Sequence, residues 1–411
     1  MHGAVLDDGA VVMVGKSAAS GAQTAGFITR WRAPDGPAMG VIVDGSNAVI
    51  EQTINLGGDS ALLQVAAADG VVLAVGFQAD SEATPAHGVV VAMDATTLEV
   101  RARMQVDAPE AAQSAALESA LVTPEGQVIV GGSWGASRDA LEGFKSYGNV
   151  VGGQGLVMSF SLAEFLATEG VDTPTTPDAL SAVARTIPET FSVKSIRRTS
   201  DGSTVAVGSD LEERSGVLWI DPGLTNHSWT PYAEGIELTD VVAVPRPGEN
   251  DAVAVVGHGG PDTIDGHAAL VDASGQVLWA RAFGNPSVDA EEVPPNGLAP
   301  DKFIFDECWG VDLRDDQIVV ACGSGIEGCD AVSATESEVS LCQTDPRRSW
   351  RSHLVGLNAD GEVLWSRSDS FVDADGEAAE SAAEFVVVDA QSNIFAIIDQ
   401  NFGVGLAAFS N

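Results

Sequence analysis

One unit recurs seven times along this chain, and that repetition constrains the fold more than any other feature. The unit is an alternating apolar strand, a tight polar turn, and a second strand closed by Gly. It runs Ala4-Val5-Leu6-Asp7-Asp8-Gly9 into Val11 to Gly15, then Ala67 to Gly70 into Val71 to Gly76. It returns as Val122 to Gly126 with Val128 to Gly131, Ser200-Asp201-Gly202 with Val205 to Gly208, and Val241 to Val244 with Val253 to Gly257. The sixth copy is Gly310 to Arg314 with Ile318 to Gly323, and the seventh Phe385 to Asp389 with Ile394 to Asp399, where Asp replaces the closing Gly. A third apolar strand follows each pair: Phe27 to Thr29, Val89 to Met93, Leu156 to Phe160, Val217 to Ile220, Ala268 to Val271, Leu354 to Leu357 and Gly405 to Phe409. Several lead through a turn to a fourth, more polar strand, as in Val271-Asp272-Ala273-Ser274-Gly275-Gln276-Val277-Leu278-Trp279 and Leu357-Asn358-Ala359-Asp360-Gly361-Glu362-Val363-Leu364-Trp365. A four-stranded sheet cannot bury both faces alone, but copies stacked radially cover one another. The expected fold is all-β, a seven-bladed β-propeller with four-stranded antiparallel blades. It is expected to form one domain over 1–411, with blade cores near 4–15, 61–76, 120–131, 194–208, 239–257, 309–323 and 384–399.

The seventh unit has only three readable strands before Asn411, and only Met1 to Gly3 precede the first. The expectation is that residues upstream, since removed, once supplied the missing strand. No basic and apolar leader follows Met1, and no window is apolar enough to span a bilayer.

The spacings and turns resemble the secreted bacterial repeats of the "DGGY-x-V-x-G … LD-x-DG-x-x-W" type. More loosely they resemble quinoprotein-like repeats, whose third-strand turn also reads Asp-x-x-x-Gly-x-x-x-Trp. The stretch from Cys308-Trp309-Gly310-Val311 through Ala321-Cys322-Gly323-Ser324-Gly325-Ile326-Glu327 to Trp365 is similar to a segment of secreted myxobacterial and algal proteins. The resemblance implies architecture and no particular activity.

Charge and cysteines bound the setting. With 59 acidic against 20 basic residues the net charge is −39, a surface that repels nucleic acid and anionic lipid and suits cations, basic partners or high salt. Cys308, Cys322, Cys329 and Cys342 lie close together without zinc-ribbon spacing. They read as two disulfides, and so as an extracellular or periplasmic protein.

Topology then selects a face. Loops between strands one and two, and three and four, leave one side and are mostly minimal, apart from an expected helical excursion over Ala163 to Pro188. The other side carries the long segments Phe77 to Ala86, Ser133 to Gln154, His258 to Gly266 and Ser324 to Ser352. The inter-blade links Asp107 to Ser114, Asn285 to Glu307 and Asp369 to Ala382 emerge there too. Insertions gathered on one face of a rigid scaffold mark a binding surface.

Three constellations fall on it. His258, Asp262, Asp265 and His267 lie within ten residues on one loop, and apposed strand ends would bring the imidazoles together for Zn²⁺ or another transition metal. His87 and His353 hold the place of His267 in their repeats, so that position equally reads as repeat consensus. A carboxylate-rich rim holds Asp289, Glu291, Glu292, Asp301, Asp306, Glu307, Glu327, Asp330, Asp373, Asp375, Glu377 and Glu380, hard oxygen donors suited to Ca²⁺ or simply to solvent. In it Asp373-Ala374-Asp375-Gly376-Glu377 departs from the EF-hand loop by its Gly position. The stapled insertion of the sixth unit carries Arg347, Arg348, Trp350 and Arg351 beside Trp309 and Glu327, a set able to clamp a carboxylate or sulfate.

No phosphate-cradling loop or nucleophile elbow is read. Inner-strand mouths hold residues such as Trp309 and Glu384 rather than a histidine ring. The leading expectation is a monomeric extracytoplasmic recognition or scaffold propeller. It would bind a protein, small-molecule or glycan ligand on its insertion-rich face, with Ca²⁺ as candidate helper. The alternative is a secreted metal-dependent hydrolase or lyase built on the His258–His267 loop.

Overall fold

The computed structural model describes residues 2–18, 24–32, 41–43, 49–56, 58–81, 84–136, 153–168, 173–212, 214–259, 265–283, 306–325, 350–369, 371–372, 378–379, 381–400 and 403–409. The chain is a seven-bladed β-propeller with four-stranded antiparallel blades. It forms two compact units, Met1–Gly36 with Ala48–Pro231, and Pro37–Asn47 with Tyr232–Asn411.

The first unit holds four blades. Blade one comprises β1 (His2–Val5), β2 (Val11–Ala18), β3 (Thr24–Arg32) and, beyond β4 (Val41–Val43), β5 (Val49–Asn55). Blade two is β6 (Asp59–Ala68), β7 (Val71–Ala79), β8 (His87–Asp94) and β9 (Val100–Val106). Blade three is β10 (Ser114–Val122), β11 (Gln127–Ala136), β12 (Gln154–Ser161) and β13 (Val183–Ile187). Blade four is β14 (Thr190–Arg198), β15 (Thr204–Asp210), β16 (Ser215–Ile220) and β17 (His227–Pro231).

The second unit holds three. Blade five is β18 (Ile236–Val244), β19 (Ala252–Gly259), β20 (Asp265–Val271) and β21 (Val277–Phe283). Blade six is β22 (Glu307–Arg314), β23 (Gln317–Gly325), β24 (Trp350–Leu357) and β25 (Val363–Asp369). A two-stranded ribbon follows, β26 (Phe371–Val372) with β27 (Ala378–Ala379). Blade seven is β28 (Ser381–Val388), β29 (Ile394–Gln400), β30 (Gly403–Phe409) and β4, which pairs Val41, Ile42 and Val43 with Ala408, Ala407 and Leu406. This corrects the expectation of a lost upstream strand. The fourth strand of blade seven comes from inside the segment that joins the last two strands of blade one.

The excursion in blade three is also shorter than expected. A single helical turn, α1 (Leu162–Leu166), starts at Ser161, whose hydroxyl accepts the Glu164 N–H. A 3-10 turn spans Pro177–Leu180, and residues 183–187 return as the fourth strand, so only the middle of Ala163 to Pro188 is excursion.

Why the second strand of a blade reads as an unbroken apolar run follows from period two. In β7, Leu73 and Val75 join the core that blade two shares with blade three, while Val72 and Ala74 join the core shared with blade one. In β23, Ile318 and Val320 pack towards blade five, and Val319 and Ala321 towards blade seven. Each Val, Leu or Ile among them contributes about 1.5–3 kcal/mol on burial.

The first strand carries a second regularity. Its register slips by one residue at the same place in blades two to seven, lifting Leu63, Glu118, Lys194, Thr239, Trp309 and Glu384 out of the ladder. The bulge explains the glycine that closes the repeat, which in blade three is Gly132 rather than Gly131. In blades two to five the residue just before the bulge pairs with Gly76, Gly132, Gly208 or Gly257. A Cβ at these glycines would sit 1.9, 2.2, 2.2 or 1.8 Å from the carbonyl oxygen of Ala61, Ala116, Ser192 or Glu237. Only a residue with no side chain fits under that carbonyl. In blade six the equivalent position is Cys322, paired with Cys308, rather than Gly323, and in blade seven it is Ile398 rather than Asp399.

Polar side chains on the first strand tie one blade to the next. Gln64 Oε1 accepts the Ala120 N–H at 2.5 Å, Asp240 Oδ2 accepts that of Val311 at 3.0 Å, and Asp312 Oδ2 that of Val388 at 2.7 Å. The turn motif has its own reason. Asp272 Oδ1 accepts the N–H groups of Ser274 and Gln276, and the Trp279 indole donates to Ala359 O at 2.8 Å while lying over Gly361 in the next blade's turn. Among the described residues no helix is long and apolar enough to cross a membrane.

A Gly132→Ala variant is expected to lose about 1–3 kcal/mol of stability through the contact with Ala116 O. Gly126→Ala is the comparison for a glycine whose constraint is backbone conformation, since its φ is +77° and nothing lies near its missing Cβ. Thermal denaturation of both variants checks this, and an unchanged midpoint for Gly132→Ala would refute the bulge account.

Candidate functional site

Strand polarity places the site within the second unit. In blades five to seven the first strand starts at the end where the second strand finishes. The strand ends that flank 260–264, 284–305, 326–349 and 370–380 therefore all lie at that one end. The opposite end carries the short turns at 272–276, 315–316, 358–362 and 389–393.

At the segment-bearing end, β18 and β19 set Glu237 opposite His258, with His258 Nε2 3.7 Å from Glu237 Oε2. The His258 ring meets the Trp309 indole edge to face, centroids 6.5 Å apart at 61°. Trp309 is the bulge residue of β22, and its ring closes over Gly323. The Thr239 hydroxyl, on the bulge of blade five, donates to Cys308 O at 2.9 Å and so fixes the two bulges against each other. Behind Trp309 the sulfurs of Cys308 and Cys322 stand at disulfide distance, 2.04 Å, across a directly opposed pair buried in the core.

Glu307 begins β22 among other acids. Burial first, then the charges of Glu237, Glu384 and Asp306, pushes its carboxyl up to about 7. Three blades thus contribute: Glu237 from five, Glu307 from six with Asp306 just before it, and Glu384 from the bulge of seven. A largely buried acid among three others, beside an indole and an imidazole, stabilises positive charge. A cation placed there would draw the Glu307 proton off.

Several expected residues lie elsewhere. Asp262, Glu327, Arg347, Arg348, Asp373, Asp375, Cys329 and Cys342 lie outside the described residues, as do the rim acids other than Asp306 and Glu307. Trp350 opens β24 opposite Gly325, and Asp265 opens β20 opposite Gly259.

The convergence of His258 and His267 does not occur. His258 pairs with Gly266 and His267 with Gly257, an offset of one residue that turns the imidazoles to opposite faces of the sheet. His267 Nε2 is instead 2.8 Å from the Tyr232 hydroxyl. Burial lowers this imidazole to about 4 and raises the Tyr232 phenol to about 12. His87 and His353, at the same repeat position, are held by Asp107 and Ser368, both at 2.6 Å. That is the behaviour of a repeat consensus. No group of three or more His, Cys, Asp or Glu set to hold a metal occurs among the described residues.

Sequence reading passed over Tyr232, Glu237 and one string. Gly131-Gly132-Ser133-Trp134-Gly135 has the letters of a nucleophile elbow, yet it runs along extended β11 with Ser133 buried, so no strand–turn–helix elbow exists there.

Titration of Glu307 gives a direct check. Its folded-state pKa is raised from the ordinary value of 4.5. The stability it contributes is therefore full below the unfolded-state pKa and is lost as pH rises towards 7. Glu307→Gln should flatten the fall of melting temperature between pH 4.5 and 7. A wild-type profile already flat there would contradict the cluster.

No family model and no curated protein matches the chain. Solved structures with a similar fold include a protein from Lactobacillus plantarum, 13% identical, covering 92% of this chain and 85% of that one with a TM-score of 0.45. Another is the Dos1 propeller, at 11% identity, 98% and 80% coverage and a TM-score of 0.46. A third is the β-propeller domain of the Trilobed protease from Pyrococcus furiosus, described as having an open velcro topology, at 11%, 85% and 82%, and 0.40. With TM-scores below 0.5 these likenesses carry no argument, and the fold rests on the chain's own seven sheets. The chain is a seven-bladed β-propeller, and no sequence match extends the resemblance to DGGY-type repeats beyond that architecture.

Proposed function

We propose that this is an extracytoplasmic recognition propeller that takes a cation-bearing partner at the first-strand ends of blades five to seven. The observation that carries the reading is Glu307. It is withdrawn from water among Glu237, Glu384 and Asp306, beside Trp309 and His258, at the end from which the long segments depart. Carboxylates with an indole suit an ammonium or guanidinium group of a basic protein segment. Ca²⁺ as a helper ion rests on the carboxylate-rich rim beyond the described residues, since no described group of three such side chains is set to hold a metal. Placement outside the cytoplasm is supported by the Cys308–Cys322 pair. The rival reading, a secreted metal-dependent hydrolase or lyase on the His258–His267 loop, loses its main support because the two imidazoles face apart.

Calorimetric titration with an arginine-rich peptide, with and without Ca²⁺, tests the proposal. Affinity should rise between pH 6 and 8 as Glu307 loses its proton. It should fall about tenfold in Glu307→Gln, the scale of one charge-assisted hydrogen bond. Glu212→Gln, at an exposed site with 72% side-chain exposure, controls for the general negative field. Equal losses in the two variants would sink the site. Stoichiometric zinc, copper or iron that disappears in His258→Ala would turn the reading to the enzyme.

A further inference from the structure

The first unit holds another buried acid, this one at a bulge, in very different company. Glu118 is the bulge residue of β10, only 5% exposed, and its Oε1 is enclosed by protein without a hydrogen-bond partner. Its neighbours have settled roles. Ser119 Oγ donates to Val193 O at 3.3 Å, and the next N–H, that of Ala120, is taken by Gln64. These bonds hold blades two, three and four in place without using the Glu118 carboxyl. An unsatisfied buried oxygen is costly, and its persistence calls for a partner.

The same bulge in blade four carries Lys194. It belongs to Lys194-Ser195-Ile196-Arg197-Arg198, three of the chain's 20 basic residues within five positions. Arg198 is spent on Glu125 at the turn end, whereas Arg197 donates to Ser195 Oγ and Ile196 O and its charge reaches His2. This stretch of inner strand is locally basic in a protein of strongly acidic total charge.

We propose that Glu118, as a neutral carboxylic acid, and Lys194, as an ammonium, form a site for one small oxyanion, with both groups donating to it. The protonated form is the one that burial favours: desolvation raises Glu118 to about 8, against an opposing pull from Lys194, the charged side chain whose field reaches it. A neutral carboxyl donates through its O–H where a carboxylate would repel the ligand. Carboxylate and phosphate share the required chemistry.

Titration of the full chain with acetate and with inorganic phosphate, followed by calorimetry at pH 7 and pH 9, tests this. Saturable binding is expected at pH 7 and should weaken at pH 9. Lys194→Met should weaken it about tenfold or more. Glu118→Gln keeps a donor and should bind without the pH dependence, whereas Glu118→Leu should lose binding. Saturation by acetate alone identifies a carboxylate ligand, and by phosphate alone a phosphoryl ligand. Failure of both to saturate overturns the proposal, as does binding indifferent to Lys194→Met and Glu118→Leu.

Discussion

Everything distinctive in these blades depends on one backbone irregularity in the first strand. The slipped residue turns the carbonyl two positions before it across the neighbouring strand, and only glycine fits beneath it in blades two to five. The same slip frees one side chain per blade from the ladder while its neighbours stay buried. Gln64, Ser119 and Asp240, each one residue past the bulge, make inter-blade bonds, as do Thr239 on a bulge and Asp312 further along β22. The freed positions hold Leu63, Glu118, Lys194, Thr239, Trp309 and Glu384. A scaffold built this way can change what it presents at one residue per blade and keep its packing.

Two blades break the glycine rule, and each does so differently. In blade six a cysteine takes the place and meets Cys308 across the strand pair. The covalent link replaces the close carbonyl approach seen elsewhere and sits directly behind the indole of the candidate site. In blade seven Ile398 occupies the position and is buried in the core that blades six and seven share.

The repeat was legible because burial on both faces of a second strand leaves an unbroken apolar run closed by glycine, and no other fold needs seven of them. The segment-bearing end was legible from loop lengths alone. The candidate site was legible only in part. Trp309, Asp306 and Glu307 stand together in sequence, whereas Glu237 and Glu384 join them through blade stacking, which no local spacing reveals. The histidine pair misled for a related reason: closeness in sequence suggested convergence, but a one-residue register offset decides the face. Tyr232 carried no signal, being a lone aromatic in a link between blades. The strand Val41-Ile42-Val43 was missed because three apolar residues inside an apparent loop look like nothing in particular.

Both buried acids lie on first strands, Glu307 at the start of β22 and Glu118 at the bulge of β10, and their settings differ in sign. Glu307 faces three acids, Glu118 a lysine. In each, loss of water rather than a neighbouring charge is the larger influence, so burial sets protonation first and the neighbours then decide which charge the position would welcome.

The pairing of β4 with β30 has a consequence for how the molecule comes into being. Residues 41–43 are made long before their partners, residues 406–408. Blade seven cannot acquire its outer strand until residues 406–408 have been made, so the earlier segment must wait for them. Contacts this distant along the chain are entropically slow to close. The closing of blade seven thus depends on a contact between two segments far apart along the chain.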